Sequence, residues 1–436
     1  MTFLMGGGSR GDIASLPFLR FLSACAIGVA ILLLSKSDLS QVKIPLFLLL
    51  SLVLLGLFQL VPIPPALWTG LPGREPIAQI DALIGLDAWR PVSLSPVLTM
   101  NAVASLTAPL AALLWFAIAR KTDRVLLVFV AIGGVSALLG IIQLFADPQS
   151  GVFLYRITNS GSAVGLFANR NHQGVFLACC VMISLYLVQR TPASDRNPNS
   201  LYFGGAALLM ALGVIVTASR AGLITLILAI SFAILALLIK RFKAHSPSTR
   251  RQRPRLFSMA LMAAVFLLGV VFVVAERVPA LSRLIETDEL RELRVKMAPI
   301  LIDLTADFQP LGSGLGTFEY AYRMREPTEL LAPSYVNEAH NDWMQFPIEG
   351  GAFAFVIIGL GIAFVIYRSL QLAKDKSQPG NPIDQSWLGL GILIILAAAS
   401  VVDYPLHVPS VMAVSVIGLA IFARPTLRSE LVEPSD

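Results

Sequence analysis

Residues 201–239 read LYFGGAALLMALGVIVTASRAGLITLILAISFAILALLI, and this stretch decides the fold class. A membrane-spanning helix needs about 20 mostly apolar residues, and the stretch holds two such runs, 201–218 and 221–239. Only a short break around Arg220 separates them, so the chain must turn sharply there. We therefore predict a pair of spanning helices with a charged residue at the turn between them.

The composition of the whole chain points the same way. Of its 436 residues, 56% are hydrophobic and 14% are charged, and the mean hydropathy is +0.75. Soluble domains carry about 25% charged residues, so the chain falls in the membrane class. The net charge of +6 does not indicate nucleic-acid binding. The three cysteines lie in apolar runs and are expected to serve as small apolar residues.

Apolar runs of spanning length recur along the chain and predict an all-α, polytopic transmembrane helix bundle of about 11–12 spans. No internal repeat is evident, and we do not interpret the first run as a removed signal peptide. The candidate spans are 18–35, 44–62, 100–119, 125–146, 172–189, 201–218, 221–239, 256–275, 348–367, 387–402 and 409–423.

The most basic loop predicts the orientation. Residues 240–255, KRFKAHSPSTRRQRPR, hold seven Lys or Arg and no acid, and such loops stay in the cytoplasm. Because successive loops alternate between the two sides of the membrane, this cytoplasmic loop places the long segments 63–99 and 276–347 outside. It also places the N-terminus outside, which Arg10 and Arg20 do not favour, unless one more span exists. Function is expected on the outer face, where loops are long enough to fold.

Three parts of the chain follow from this topology. Residues 1–275 are expected to form an N-terminal transmembrane bundle with a periplasmic loop at 63–99. Residues 276–347 would be a large, partly helical periplasmic catalytic loop, and 348–436 would hold the C-terminal spans and a cytoplasmic tail.

Motifs that bind nucleotides or metals are absent from the sequence. There is no P-loop, no HExxH and no Cys–His cluster, so we expect no cofactor and no metal. The glycine-rich stretch 312–316 lacks the spacing of a dinucleotide site. We interpret it mainly as a flexible turn, although the amides of such a turn could approach a phosphate.

One of the four histidines stands out. His340 lies in the segment NEAHNDW, beside Asn341 and Asp342, where the chain re-enters the membrane. Its polar neighbours and its titration range suit a general base. Asp342 either orients this histidine or caps the following helix. Histidines 172 and 407 lie near membrane boundaries, where a structural role is commoner, and histidine 245 lies in the basic cytoplasmic loop.

Arginines near the membrane are the second set of candidates. Arg220 interrupts an apolar stretch at the outer mouth of two helices, where an ionisable residue is a functional hypothesis by default; the alternative is snorkelling to headgroups. Arg170 lies between two asparagines, and Arg294, with Arg291 close by, lies in an amphipathic stretch. Outer arginines around a histidine base suit a diphosphate substrate, because guanidinium binds phosphate oxygens bidentately.

Several segments, in order, resemble the O-antigen ligase and polymerase superfamily, the WaaL and Wzy glycosyltransferases of bacterial envelopes. The likeness covers roughly residues 45–423. The segments are QLVPIPPALW (59–68), WRPVSLSP (89–96), GLFANRNH (165–172), TASRAG (217–222), PLGSGLGTF (310–318) and AHNDW (339–343) leading to EGG (349–351).

The resemblance implies an activity and a location. Such proteins are multi-pass enzymes of the bacterial inner membrane with a periplasmic active site. They take a glycan from an undecaprenyl-diphosphate carrier and pass it to a lipid A core sugar (ligase) or to another carrier-linked glycan (polymerase). The transfer is metal-independent and inverts the anomeric centre. The family's two arginines and histidine map to Arg220, Arg294 and His340, although Lys296-Met297 departs from the aromatic that many relatives carry.

Two other classes remain open at this point. A transporter or flippase of lipid-linked glycans would show inverted repeats and charges near the bilayer midplane, whereas the charges here cluster at one face. A structural membrane protein would not need Arg220 at a tight turn. The sequence does not choose between ligase and polymerase, because no motif specifies the acceptor.

Overall fold

The structure is a computed structural model, and it describes residues 1–119, 121–191, 198–243, 289–331, 336–374 and 383–424. Helices account for nearly all of the regular structure in these ranges. They are α1 (Thr2–Met5), α2 (Leu16–Leu33), α3 (Lys36–Gln59), α4 (Pro65–Trp68), α5 (Glu75–Leu83), α6 (Pro96–Ser105), α7 (Thr107–Ala119), α8 (Thr122–Gln143), α9 (Arg170–Arg190), α10 (Pro198–Val216), α11 (Arg220–Lys243), α12 (Glu289–Asp307), α13 (Phe318–Arg323), α14 (Asp342–Lys374), α15 (Ile383–Ala399) and α16 (Pro409–Ala423).

Short elements complete the outer connections. The strands β1 (Pro62–Ile63) and β2 (Arg90–Pro91) pair antiparallel, with Ile63 opposite Arg90. Two 3₁₀ turns cover Thr328–Leu330 and Pro405–His407.

The predicted all-α polytopic bundle is confirmed. Among the described residues, eight helices are long and apolar enough to cross a membrane, with α6 and α7 together forming one of them. The shorter apolar helices α15 and α16 correspond to the last two predicted spans. The predicted span 256–275 and the basic loop 244–255 lie outside the described residues.

Most helices begin a few residues before their predicted apolar runs, and the difference is largest for α3, at 36 rather than 44, and for α14, at 342 rather than 348. Helix α3 starts at Lys36 because the Ser35 hydroxyl and the Asp38 carboxylate cap each other's backbone amides. Helix α14 starts at Asp342 and bends at Gly351, because the Gly351 φ of 60° is not a helical dihedral angle. An outer helical turn therefore precedes the membrane-spanning part of α14.

Helix α9 is the centre of the bundle. The apolar window of α9 is 83% buried, whereas the other long spans are 17–39% buried. Helix α11 packs closely against it, since a methyl group on Gly174 would lie 2.9 Å from the Gly222 Cα. This contact aligns the N-termini of α9 and α11 at the same end of the bundle.

The N-terminal residues lie at that same end. The Gly6 carbonyl accepts a hydrogen bond from the Ser410 amide, and the Gly7 carbonyl accepts one from the Ala168 amide, both at 3.0 Å. These partners lie at the starts of α16 and α9. The first residues thus share a face with the loops that the sequence places outside, as the alternation of spans predicts.

Candidate active site

The Ser-Arg-Ala-Gly turn between α10 and α11 is fixed by its own side chains. Ala218 has a left-handed backbone, with a φ of 50°. The Ser219 hydroxyl accepts a hydrogen bond from the Gly222 amide (2.9 Å) and donates one to the Asn171 side chain (2.8 Å). Arg220 follows as the half-buried first residue of α11. The turn therefore holds Arg220 against the N-terminus of α9.

Asparagines build the N-terminus of α9. The Asn169 side chain caps the helix by accepting a hydrogen bond from the Asn171 amide (2.8 Å). The Asn159 side chain accepts one from the Arg170 amide (3.0 Å). Arg170 is half-buried in the first turn, and His172, two residues further on, is only 1% exposed. The sequence NRNH thus delivers a histidine into the protein directly beneath the Arg220 turn.

A buried carboxylate stands between two histidines, and we call His172, His340 and Asp403 the acid–histidine cluster. His172 Nε2 lies 3.7 Å from Asp403 Oδ2, and His340 Nδ1 lies 3.6 Å from Asp403 Oδ1. Within the described residues, neither Asp403 oxygen and neither His172 nitrogen has a hydrogen bond of ordinary length. Groups buried this deeply are almost always paired, so the cluster is exceptional.

The charge state of Asp403 follows from its neighbours. Burial alone raises the pKa of the carboxyl, but His172 and His340 outweigh burial and hold the pKa below its usual range. The carboxyl is therefore ionised at neutral pH. A buried anion beside His340 favours a proton on the Nδ1 atom that faces it.

His340 is the member of the cluster that reaches the surface. Its side chain is 21% exposed, whereas the Asp403 and His172 side chains are essentially inaccessible. The His340 backbone is left-handed, with a φ of 51°, which is uncommon outside glycine. The Tyr404 ring packs edge-on against both imidazoles, with centroids 4.8 Å from His340 and 5.1 Å from His172.

The last histidine lies next to this cluster in a carboxylate pair of its own. His407 Nδ1 is 2.8 Å from Asp342, and His407 Nε2 is 3.8 Å from Glu338 and 3.1 Å from Gln345. Burial lowers the pKa of His407, but the Glu338 and Asp342 carboxylates outweigh it and raise the pKa to about 10. His407 is therefore a cation at neutral pH.

The glycine-rich stretch is a fixed cradle rather than a flexible turn. Gly312, Gly314 and Gly316 all have positive φ angles. The amides of Gly316 and Phe318 donate hydrogen bonds to the Glu349 carboxylate at 2.9 and 3.1 Å. The backbone amides of 312–316 that could have approached a phosphate are thus occupied within the chain, by backbone carbonyls, the Gln59 side chain and the Glu349 carboxylate.

Two side chains lock this cradle, one at the end of α3 and one in the loop 63–99. Gln59 donates to the Glu349 carbonyl (2.7 Å) and accepts from the Leu315 amide (2.9 Å). Arg74, only 1% exposed, donates to the Gly312 carbonyl (2.8 Å), and its burial lowers its pKa to about 10. We call residues 312–316 with Gln59, Arg74 and Glu349 the glycine-loop lock.

A chain of contacts links the segments that carry two of the three predicted site residues, Arg220 and His340. The turn that carries Arg220 binds Asn171, the neighbour of His172, and Asp403 joins His172 to His340. Arg291 and Arg294 belong to α12, but their side chains lie outside the described part of the chain. Their role as phosphate ligands stays a prediction.

The two polar neighbours of His340 have different partners from those expected. Asn341, not Asp342, caps α14, because its side chain accepts a hydrogen bond from the Met344 amide (3.1 Å). Asp342 binds His407 and the Ser400 hydroxyl (2.7 Å). The interpretation of Asp342 as a cap is therefore wrong, and the carboxylate beside His340 is Asp403.

Sequence reasoning missed Asp403 and underrated His172 and His407. Asp403 lies in the nine-residue connection between α15 and α16, inside an otherwise apolar context. An acid at a membrane boundary is energetically costly and marks a functional position by default. That signal was available, but only the fold shows which histidines the acid faces.

Despite these carboxylates and imidazoles, the described residues contain no group of three His, Cys, Asp or Glu arranged to hold a metal ion. The side chains pair as acid with histidine instead. The chemistry that this arrangement supports is proton transfer at a partly exposed histidine held beside a buried carboxylate.

Comparison with known proteins agrees with the resemblance in the sequence. A search of the curated proteins found no match. Residues 205–359 match the family model described as O-antigen ligase (Wzy_C), and this range includes Arg220, Arg294, His340 and the glycine-rich loop. The predicted family is thereby confirmed: residues 205–359 carry a domain of the O-antigen ligase family.

Proposed function

We propose that the chain is an inner-membrane glycosyltransferase that moves a glycan from an undecaprenyl-diphosphate carrier to an acceptor on the periplasmic face. The acceptor is a lipid A core sugar or another carrier-linked glycan. One observation carries the proposal: a continuous set of contacts joins the Arg220 turn, through Asn171 and His172, to Asp403 and His340. We infer from these contacts that a cation that suits a diphosphate and a histidine that suits a base belong to one site.

The proposed reaction is an inverting displacement with His340 as the base. We assign the resting proton to His340 Nδ1, beside Asp403, which leaves Nε2 to accept the proton of the acceptor hydroxyl. The acceptor oxygen forms a bond to the anomeric carbon as the bond from that carbon to the diphosphate oxygen breaks. Undecaprenyl diphosphate leaves with the electron pair, and the proton stays on His340 until solvent removes it.

The arginines are proposed to stabilise the leaving group. Negative charge on the diphosphate grows as the glycosidic bond breaks, so fixed guanidinium groups stabilise the transition state more than the ground state. Arg220 and Arg294 are the proposed ligands, with Arg170 and Arg291 in support. Arg220 and Arg170 lie at the N-termini of α11 and α9. The positive ends of these two helix dipoles add to the positive charge of the arginines.

The reaction is proposed to need no metal ion, because arginines supply the positive charge. Purified enzyme in nanodiscs should transfer glycan from a lipid-linked donor equally well with and without excess EDTA. Activity that chelation abolishes and Mg²⁺ or Mn²⁺ restores would contradict this part of the proposal.

Reconstitution tests the proposed function itself. The protein is combined with undecaprenyl-diphosphate-linked glycan and with each acceptor class separately, and the products are resolved by gel. We expect the product of one acceptor class and release of undecaprenyl diphosphate in equal amount. Movement of the intact donor across the bilayer without glycosidic bond cleavage would instead identify a flippase and refute the proposal.

A deletion strain separates the two forms of the enzyme. Surface glycan shortened to one repeat, but still attached to its acceptor, identifies a polymerase. Carrier-linked polymer that remains unattached identifies a ligase.

A further inference from the structure

A patch of exposed apolar side chains lies on the outer connection between α3 and α6, in a segment that does not cross the membrane. Its members are large hydrophobic residues that expose 45–86% of their surface, with Leu83 the most exposed. They are Ile80, Leu83, Ile84, Leu86 and Trp89. A patch this dense on a non-spanning segment of a folded protein marks an interaction surface.

The opposite side of the segment is firmly bound to the protein. Asp81 is buried and forms a salt bridge to Arg90, with atoms 2.6 Å apart. The Arg90 guanidinium in turn lies over the Trp68 ring, 5.4 Å from its centroid. The paired charges therefore face inward, and the orientation of the apolar side chains is fixed outward.

The strand pair sets the level of the patch relative to the bundle. Ile63 pairs with Arg90, and Ile63 lies only four residues beyond the last residue of α3. At about 3.3 Å per residue, Ile63 is within about 13 Å of the end of that spanning helix, and Trp89 is one residue from its strand partner Arg90. The patch therefore sits at the height where spanning helices leave the hydrocarbon.

The patch also continues the lipid-facing surface of its two flanking helices. Exposed apolar side chains end α3 and begin α6 on either side of it: Phe58, Val61, Val97 and Met100. Exposed large apolar residues are thus found both on the flanking ends of two spanning helices and on the connection between them. Lipid is the partner that already covers the first part of this surface in a membrane.

We propose that residues 80–89 lie flat on the outer leaflet, with Ile80, Leu83 and Ile84 among the upper acyl carbons and Trp89 at the headgroups. Tryptophan prefers this level, and amphipathic segments bury their apolar face to about 5–10 Å. The exposed carboxylate of Asp87 limits the depth and keeps the segment at the boundary rather than in the hydrocarbon. The partner is a lipid surface, not a protein.

This surface would fix the glycine-loop lock relative to the bilayer. Arg74 immediately precedes α5, and its guanidinium binds the Gly312 carbonyl. The immersed helix and the cradle of Glu349 therefore move as one unit. A site that works on a lipid-linked substrate gains a defined height above the membrane from such an anchor.

Spin labels measure the depth directly in the full chain reconstituted in lipid nanodiscs. Cys25→Ser removes the exposed native thiol, while Cys179 and Cys180 are fully buried. Labels at Leu83→Cys and Ile80→Cys report the apolar face, and Glu75→Cys, at the exposed and charged first residue of the helix, is the control. Collisions with oxygen, which enriches in lipid, are compared with collisions with a water-soluble nickel chelate.

We expect several-fold more oxygen than nickel collisions at the two apolar positions and the reverse at Glu75→Cys. Nickel access at both apolar positions equal to that of the control would overturn the proposal. Protection of both positions from both reagents would overturn it as well, because it would indicate a protein partner. Since two apolar positions are probed, poor folding of one variant leaves the other to decide, and no outcome depends on transfer activity.

Discussion

The two buried clusters, the glycine-loop lock and the acid–histidine cluster, differ in whether their buried carboxylate is hydrogen-bonded. In the glycine-loop lock, both Glu349 oxygens accept backbone hydrogen bonds, and within the described residues only Arg74 Nε lacks a partner. In the acid–histidine cluster, Asp403 is equally buried, yet its oxygens lie 3.6–3.7 Å from two imidazoles and make no bond of ordinary length.

This difference in hydrogen bonding indicates that the glycine-loop lock is structural and that the acid–histidine cluster takes part in the reaction. A fully hydrogen-bonded network gains rigidity and specifies one arrangement of the backbone. An unsatisfied buried carboxylate lowers stability, so natural proteins retain one where its charge is used. We therefore expect substitutions in the acid–histidine cluster to change the rate of transfer and those in the glycine-loop lock to change stability.

The largest effect is expected at His340. His340→Ala removes the proposed base and should lower turnover about 10²–10⁴-fold, with little change in thermal stability because the side chain is partly exposed. Transfer rates in nanodiscs and melting curves check both halves. His245→Ala, in the basic segment that the sequence predicts to be cytoplasmic, is the control and should behave as wild type.

Asp403→Asn should have the next largest effect, since Asp403 is a positioning residue that acts through His340. The change keeps size but removes the charge that holds the Nδ1 proton, and turnover should fall by about 10-fold or more. Donor binding should stay as in wild type, because the change acts on the base and not on the proposed diphosphate ligands. A loss of turnover matched by an equal loss of donor binding or of folded protein would mean a structural role only.

The glycine-loop lock should respond in stability instead. Gln59→Ala leaves the Glu349 carbonyl and the Leu315 amide without their buried partner, which costs about 1–3 kcal/mol. Thermal unfolding in detergent should shift downward, while turnover per folded molecule stays within about twofold. A Gln59→Ala protein of normal stability that transfers slowly would contradict a purely structural role of the glycine-loop lock.

The smallest effect concerns His407 and depends on pH. Because the folded state raises the pKa of His407 to about 10, its contribution to stability is fully present below the unfolded value of about 6.5 and is lost as the pH rises through about 10. The difference in melting temperature between wild type and His407→Gln should therefore be largest near pH 6 and shrink toward pH 10. A difference that grows with pH would contradict the ion pairs with Asp342 and Glu338.

The sequence predicted the bundle well because spanning helices are encoded locally. The apolar runs around Arg220 required a tight turn, and the structure has one, fixed by Ser219 and Asn171. Helix starts were less accurate: α3 begins at Lys36 because of a capping box that hydropathy does not register.

The site was predicted only in part, for a different reason. Arg220 and His340 stood out because each is a costly residue near a membrane boundary. Asp403 and His172 are 231 residues apart in sequence, and only the packing of α9 against α15 brings them together. Long-range pairing of this kind leaves no pattern in a single sequence.

The central claim is that Arg220 and His340 serve one site in separate roles, and donor binding combined with single-turnover kinetics tests it most directly. Both are measured in nanodiscs for wild type, Arg220→Lys and His340→Ala. We predict that His340→Ala binds the lipid-linked donor as wild type does but transfers its glycan slowly. Arg220→Lys should bind the donor more weakly and also react slowly, because lysine keeps the charge but loses the planar fork. A His340→Ala enzyme that transfers at the wild-type rate, or an Arg220→Lys enzyme that both binds and reacts normally, would contradict the account.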